Sequence, residues 1–432
     1  MSNQPTTTEK LSQSQIDAMV KLHKRYLEGR LGGKRATLKN ADLSGLVMRD
    51  CNLAQADFMN CKMVNMDLSG SNFSEAALYA CDLSVSNLNR TTFLRSDLRG
   101  ATIENASMEE TNLEKADLRS GGVSIGGFDA NAVKAVNFSG ANLTGAKMKG
   151  MLASKADFSD SILVGADMSG VDLSGANLHG ADLSNAETAG AQFGGADLED
   201  SILIGVPLDD FKRWGLDISS ALTDENLGTA VSDLDEPLPQ LIEKHREWVQ
   251  SGGKAGAQLD LSDVDMRFLK SLKQEKLLAI RAIKTKFCGI NLYKTELQSA
   301  TLDQSDFRYC DMEEADLRGT SFKGANLSHA KLKKVNGNAL LFGVSSGENA
   351  RRFNPCNFEG AKFRYADLQG GQFKNAVFRN ADLSHADFTG CDLREADFTG
   401  ATMVNTNTDG ANLEGAKMDP KQGGRIFRIP GT

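Results

Sequence analysis

The sequence predicts a mainly β protein whose chain turns a corner every five residues and winds as a solenoid. Three observations carry that prediction. From residue 38 to residue 208 a run of 35 positions spaced by five holds Leu, Met, Phe, Ile or Val, with Ala153 and Thr188 the exceptions. The position two earlier is small or modestly apolar, as at Ala41, Ala56, Cys61, Ala116 and Ala181, and the position between them favours Asp or Asn. Aromatic residues make up only 6% of the 432 residues while Gly numbers 42, which suits a narrow interior rather than a broad aromatic core.

A helix repeats at about 3.6 residues and a strand at about 2, so neither element has a period of five. One short extended side followed by a bend does. Residues two apart on such a side both point inward, with the Leu filling the centre and the Ala leaving it room. Four pentads close a square coil of twenty residues. Gly, Ser and Asn crowd the remaining two positions because they tolerate positive φ or bond to their own backbone. Coils stacked as parallel strands lie about 4.8 Å apart, so the first block makes roughly nine coils and a rod on the order of 40 Å.

The elements follow in order. Residues 1–11 are polar and read as a flexible N-terminus. Residues 12–35 hold an amphipathic helix, with Ile16, Met19, Val20, His23, Tyr26 and Leu27 at helical spacing, Ser12 or Ser14 as cap and Gly29 as stop. Residues 36–210 are the first coil stack and 211–236 a linker. A second amphipathic helix occupies 237–256, with Leu241, Ile242, His245, Trp248 and Val249 on one face. The second stack runs over 257–420, interrupted near 335–355, and 421–432 form a tail without helical pattern.

In both helices a His precedes an aromatic by three residues, His23 with Tyr26 and His245 with Trp248. Each then runs through a Gly-rich turn into a coil, at the triplets opening on Ala36 and Ala257. That points to two tandem modules from an internal duplication. The end of a coil stack exposes unpaired backbone and an apolar cross-section, so the helix reads as its cap. Pro207, Pro237, Pro239, Pro355 and Pro420 fall at block edges, where missing ladder donors do least harm. The stretch 267–287 fits either degenerate coils or a helix, and the shared phase of Leu272, Leu277, Ala282, Phe287 and Leu292 favours coils. Residues 121–136 and 337–355 interrupt the pattern and are expected to be bulges or loops.

The motifs ADLSG (41–45), ANLTG (141–145), ADLRG (315–319) and ADFTG (396–400) make the chain resemble the pentapeptide repeat proteins. That resemblance implies a right-handed quadrilateral parallel β-helix over about two-thirds of the chain. It implies a scaffold and no particular chemistry.

Catalytic chemistry is hard to find. Cys51, Cys61, Cys81, Cys310, Cys356 and Cys391 sit at the inward small position and read as buried filler, without the spacing of a metal site. His179, His329 and His385 fall at corners and are expected to be exposed, whereas His23 and His245 read as satisfied interior histidines. SIGGFDA lacks the lysine and spacing of a phosphate loop, and in GRLGGKR (29–35) a turn leaving the helix explains the glycines. No catalytic, cofactor-binding or metal-binding residue is assigned, no cofactor is implied, and the chain reads as non-enzymatic.

Charge is uneven: residues 36–210 carry 12 basic and 24 acidic side chains, against a net charge of -8 for the chain. Two function classes follow. The first is a rigid scaffold or protein-interaction module that presents flat faces to another protein. The second is an acidic mimic of DNA, as in the quinolone-resistance branch of the family that acts on DNA gyrase, resting on Asp42, Asp57, Asp67, Asp82, Asp97, Asp117, Asp157, Asp167, Asp172, Asp182 and Asp197. That branch has one shorter β-helix, whereas this chain has two modules, and Asp in these pentads also serves corner chemistry, so the scaffold is preferred. Asp97, Asp117 and Asp157 would line one face if the insertion near 121–136 keeps the coil phase. Direct nucleic-acid binding is not expected. Neither a signal peptide nor a spanning segment is readable, so a cytoplasmic location is expected.

Overall fold

The computed structural model describes residues 9–122, 133–341 and 353–418. It forms two compact units, residues 1–226 and 227–432. In each, residues twenty apart meet through parallel bridges, one per pentad, as at Asn52 with Asn72, Asp57 with Ala77, Lys62 with Asp82 and Asp67 with Asn87. Four sides therefore make one turn.

Pentads around Leu173 show why the chain folds this way. Leu173, Leu178, Ala176 and Ala181 are at most 1% exposed, so both members of each inward pair reach the dry centre. Burying one such leucine contributes roughly 1.5–3 kcal/mol. At the corner, Ala176 N–H donates to the Leu173 carbonyl at 2.9 Å, and Ser174 N–H donates to Asp172 Oδ1 at 3.0 Å. Gly175 supplies the left-handed residue, with φ 67°. Between coils, Leu173 N–H donates to the Gln192 carbonyl at 2.8 Å, and Asp172 N–H to that of Met151 at 3.0 Å. Five residues thus satisfy a corner, a ladder rung and two inward positions. The left-handed corner is not reserved for Gly: Lys115, Lys155, Arg90 and Val85 adopt φ between 56° and 61° there.

The first unit opens with β1 (Glu9–Lys10), which pairs in parallel with β3 (Ala41–Asp42), while β2 (Thr37–Lys39) pairs with β4 (Asp57–Met59). Residues 9–11 are thereby placed, in contrast to the flexible N-terminus read from sequence, because the first coil's edge takes a strand and Leu11 packs on the core. Residues 1–8 lie outside the described residues. Helix α1 (Gln13–Leu27) is capped by Ser12, whose side chain accepts from Gln15 N–H while Gln15 returns a bond to the Ser12 backbone. Its Ile16 and His23 are buried, with Met19 and Val20 against the same core. At the other end, α2 (Leu208–Arg213) buries Phe211 against Phe193, ring centroids 4.7 Å apart. Leu222 bridges Ile202, so residues 208–222, partly read as linker, continue the first unit.

In the second unit, β7 (Thr229–Ala230) pairs with β8 (Val264–Asp265). Helix α3 (Leu238–Gln250) buries Leu238, Ile242 and His245. The first inward pair is Leu259 and Leu261, at 3% and 1% exposure. Ala257 is exposed, which corrects the triplet assigned from sequence by two residues. Residues 267–287 form coils and no helix, with Leu272, Leu277, Ala282 and Phe287 buried. Bridges from Asp260 to Arg281 and from Asp265 to Lys286 span 21 residues, so this first turn holds one extra residue. Further on, Phe358, Phe378 and Phe398 stack at 5.0 and 5.1 Å down the interior.

Each stack is broken once by a hairpin stem. Strand β5 (Gly121–Gly122) pairs antiparallel with β6 (Val133–Lys134), and β9 (Leu340–Leu341) with β10 (Phe353–Asn354). The tail at 421–432 lies outside the described residues.

Candidate interaction surface

With the inward positions filled, function has the outward ones to work with. The Asp of each pentad is first a structural group: Asp42, Asp67, Asp82, Asp97, Asp117, Asp157, Asp167, Asp172, Asp182 and Asp197 each accept the N–H of the residue two places on. Where that next residue is Arg, the same carboxylate also takes its guanidinium, as in the pairs Asp97–Arg99, Asp117–Arg119, Asp306–Arg308, Asp316–Arg318 and Asp392–Arg394. The Arg119 guanidinium holds the Asp117 carboxyl below its ordinary value, and Arg394 does so for Asp392. Part of the acidity of the first unit is therefore spent on corners and local pairs.

The insertions decide which of these residues share a face. Asp97 bridges Asp117, and Asp117 bridges Leu152 across a step of 35 residues. Asp157 lies instead on the column of Asn137 and Asn177. The expectation that Asp97, Asp117 and Asp157 line one face is thus overturned, because the hairpin stem adds fifteen residues to the coil rather than a whole turn. In the second unit the step from Asn326 to Lys362 is 36 residues.

Both interior histidines fasten a helix to the first coil behind it. His23 Nδ1 accepts the Ala36 N–H at 3.0 Å, and its Nε2 lies 3.0 Å from the Ala54 carbonyl, which fixes a neutral ring protonated on Nε2. His245 Nδ1 accepts the Leu259 N–H at 3.1 Å, with Nε2 turned toward the Leu278 carbonyl but short of hydrogen-bond geometry. Burial lowers the pKa of both rings. Tyr26 and Trp248 stack on them, each pair 5.7 Å apart.

The inward cysteines are buried, Cys51 partly, and none of the seven is joined in a disulfide. Burial pushes the Cys391 thiol up to about 12, which makes it inert. The corner histidines are less exposed than expected. His179 is 24% exposed, with Glu199 and Asp200 carboxylate oxygens at 3.8 and 3.9 Å, and His179, Asp197 and Glu199 could together reach one cation. His329 and His385 are half-buried, His329 between Tyr309 and Tyr365 and His385 against Tyr365. A cavity of about 550 Å³ beside β9 and β10 is lined by Arg318, Asn336, Leu340, Phe353, Lys374 and Glu395. Its cations are matched locally, Lys374 by Glu395 at 3.8 Å and Arg318 by Asp316.

Eight segments of the sequence match the pentapeptide repeats: 36–74, 81–119, 137–175, 154–187, 176–210, 302–336, 356–394 and 391–419, together more than half of the chain. The chain belongs to the pentapeptide repeat family. Members are in general non-enzymatic structural or interaction modules. Among solved structures it is similar to HetL, a pentapeptide repeat protein involved in heterocyst differentiation regulation in the cyanobacterium Nostoc sp. strain PCC 7120, at 18% identity over 92% of this chain and 95% of that one, with a TM-score of 0.26. QnrB1, a plasmid-mediated fluoroquinolone resistance protein, is 18% identical over 44% of this chain and 92% of that one, with a TM-score of 0.32. A pentapeptide repeat protein from the Arabidopsis thaliana thylakoid lumen is 26% identical over 34% of this chain and 71% of that one, with a TM-score of 0.12. No curated protein sequence matches the chain. Among the described residues no helix is long and apolar enough to cross a membrane.

Proposed function

We propose that the protein is a non-enzymatic interaction module: two right-handed quadrilateral coil stacks, each opened by a capping helix, whose flat faces hold outward residues at fixed spacing for another protein. The observation that carries this reading is the spacing itself. Bridges every twenty residues bring the same pentad position of successive coils into one column, so a face is a rigid array that needs no ordering on binding. The helix caps are supported by the matching roles of His23 and His245, each of which accepts the first buried backbone N–H of the stack that follows its helix.

The alternative, mimicry of DNA, draws on the acidity of residues 36–210. Local pairing of Asp97 and Asp117 with Arg99 and Arg119, and the phase change at the hairpin stem, favour an interaction module over a continuous phosphate-like line. One experiment separates them. Crosslinked complexes are recovered from the native host with the intact protein and with charge reversals confined to one face at a time, such as Glu109→Lys or Lys149→Glu. The expected outcome is a partner lost from the variants of one face only, at unchanged melting temperature, and no inhibition of DNA supercoiling at micromolar concentration. Inhibition of supercoiling that tracks the acidic face would replace this reading with mimicry.

A further inference from the structure

The last coils of the first unit hold negative charge with no arginine or lysine of their own. Residues 156–205 carry nine Asp or Glu and neither Lys nor Arg, so His179 is the one basic side chain in the stretch. Earlier in the same unit outward carboxylates have arginine partners, as in Asp97 with Arg99 and Asp117 with Arg119. Among the described residues no Lys or Arg pairs with Asp197 or Glu199, and the basic group they meet is His179.

The coil geometry brings these three together. His179 and Glu199 hold the same pentad position in successive coils, and Asp197 bridges Asn177 beside them. His179 N–H donates to Asn177 Oδ1 at 3.1 Å, Glu199 N–H to Asp197 Oδ1 at 3.0 Å, and Gly180 N–H to the Glu199 carbonyl at 2.8 Å. Both coils thus fix the backbone from which the side chains leave. The corner bond uses one oxygen of Asp197, and a carboxylate has a second to offer. One donor atom each from His179, Asp197 and Glu199 lie within 4.8 Å of one another, and His179 Nδ1 is 3.8 Å from Glu199 Oε2. Ligands about 2.0–2.2 Å from one ion stand roughly 3–4 Å apart, so small side-chain rotations close the set. Glu199, with its side chain 64% exposed, has that freedom.

Exposed carboxylates alone gather only a loose cloud of counterions. Here an imidazole stands among them, and a further group lies behind it. The other ring nitrogen, Nε2, faces Asp200 Oδ2 at 3.9 Å, and Asp200 N–H donates to Ser220 Oγ at 3.0 Å, which holds that corner in place. A carboxylate on that side draws the ring proton to Nε2 and leaves the Nδ1 lone pair on the side of Glu199. Metal-bound histidines are oriented in this way.

We propose that His179, Asp197 and Glu199 bind one divalent transition-metal ion, with Asp200 as a positioning residue. One imidazole with two carboxylates suits Zn²⁺ and its neighbours better than Mg²⁺ or Ca²⁺, which take shells of oxygen. Three protein ligands leave a coordination position for water. The site stands apart from the interaction-module reading, and neither depends on the other.

The test is equilibrium dialysis of the full-length protein against Zn²⁺ with Mg²⁺ in large excess, while the histidine ring nitrogens are followed by NMR. One ion per chain is expected, with the Nδ1 resonance of His179 shifted and the rings of His329 and His385 unmoved. His179→Gln should lose the ion and keep the metal-free melting temperature, because the ring lies outside the dry interior. Glu199→Gln, at the most exposed ligand, should weaken binding at least several-fold and serves in its place if His179→Gln does not fold. Asp200→Asn should weaken binding about tenfold, the usual effect of losing the group behind a metal-bound histidine, with the ion still on His179 Nδ1. Binding that does not saturate, that is unchanged in His179→Gln or Glu199→Gln, or that an equal concentration of Ca²⁺ displaces would overturn the site. Unchanged affinity in Asp200→Asn would overturn the positioning role.

Discussion

At the scale of single residues, the fold runs on a tolerance for left-handed corners. Most corner residues without a glycine are Asn, Asp, Lys, Arg or Glu, for which a left-handed φ is a modest cost offset by the turn bond and the ladder rung. Val85 is different: it is β-branched, has φ 61° and is 55% exposed, so its side chain gains little packing in return. Left-handed backbone costs roughly 1–2 kcal/mol for an ordinary residue and less for Asn. Val85→Asn should therefore stabilise the protein by about 1 kcal/mol, read as a higher urea midpoint at unchanged slope. A lower midpoint would mean that Val85 packs in a way its exposure does not show. The sequence made the inward residues legible because Leu and Ala repeat without regard to partners. The corner aromatics were not legible. Tyr309, His329, Tyr365 and His385 are separated by 20, 36 and 20 residues, and the hairpin insertion hides the column from any fixed count.

At the scale of elements, the two helices are attached by histidines that must stay neutral. In each, Nδ1 accepts a backbone N–H, and a protonated ring would present a second donor to that donor. The folded pKa of both rings lies below the ordinary 6.5, lowered first by burial and, for His23, also by Arg35. On acidification the unfolded chain takes up these protons first, so the stability due to the neutral rings is present above about pH 6.5 and is lost as pH falls below it. Carboxylates such as Asp117 and Asp392, whose pKa values are lowered, act in the same direction but nearer their ordinary 3.8. Urea midpoints should therefore drop between pH 7.5 and 5.5, and the drop should shrink in a His23→Gln, His245→Gln protein. An equal drop in both would remove the histidines from the account. Both helices were legible from spacing alone, with Ser12 one of the two caps that the spacing allowed. The first coil behind α3 was misplaced by two residues, because Leu259 takes the inward position that Ala usually holds and the extra residue in that turn shifts the phase.

At the scale of the whole molecule, most contacts of each coil are with the coils on either side, which makes stability a sum of local terms. Residues 1–226 and 227–432 expressed apart should each give β-rich circular dichroism and a cooperative melt; a half that stays unfolded would show that the division into units does not extend to folding. The composition of the faces of the first unit is set by the register across the first hairpin stem. Parallel neighbours have Cα separations that a disulfide can span, whereas residues on different columns do not. The direct measurement is to place cysteine pairs at 117 and 152 and, separately, at 117 and 157, oxidise the folded proteins mildly, and identify crosslinked peptides by mass spectrometry. Asp117→Cys with Leu152→Cys should crosslink and Asp117→Cys with Asp157→Cys should not; crosslinking of the second pair in place of the first would contradict the register on which the faces of the first unit depend.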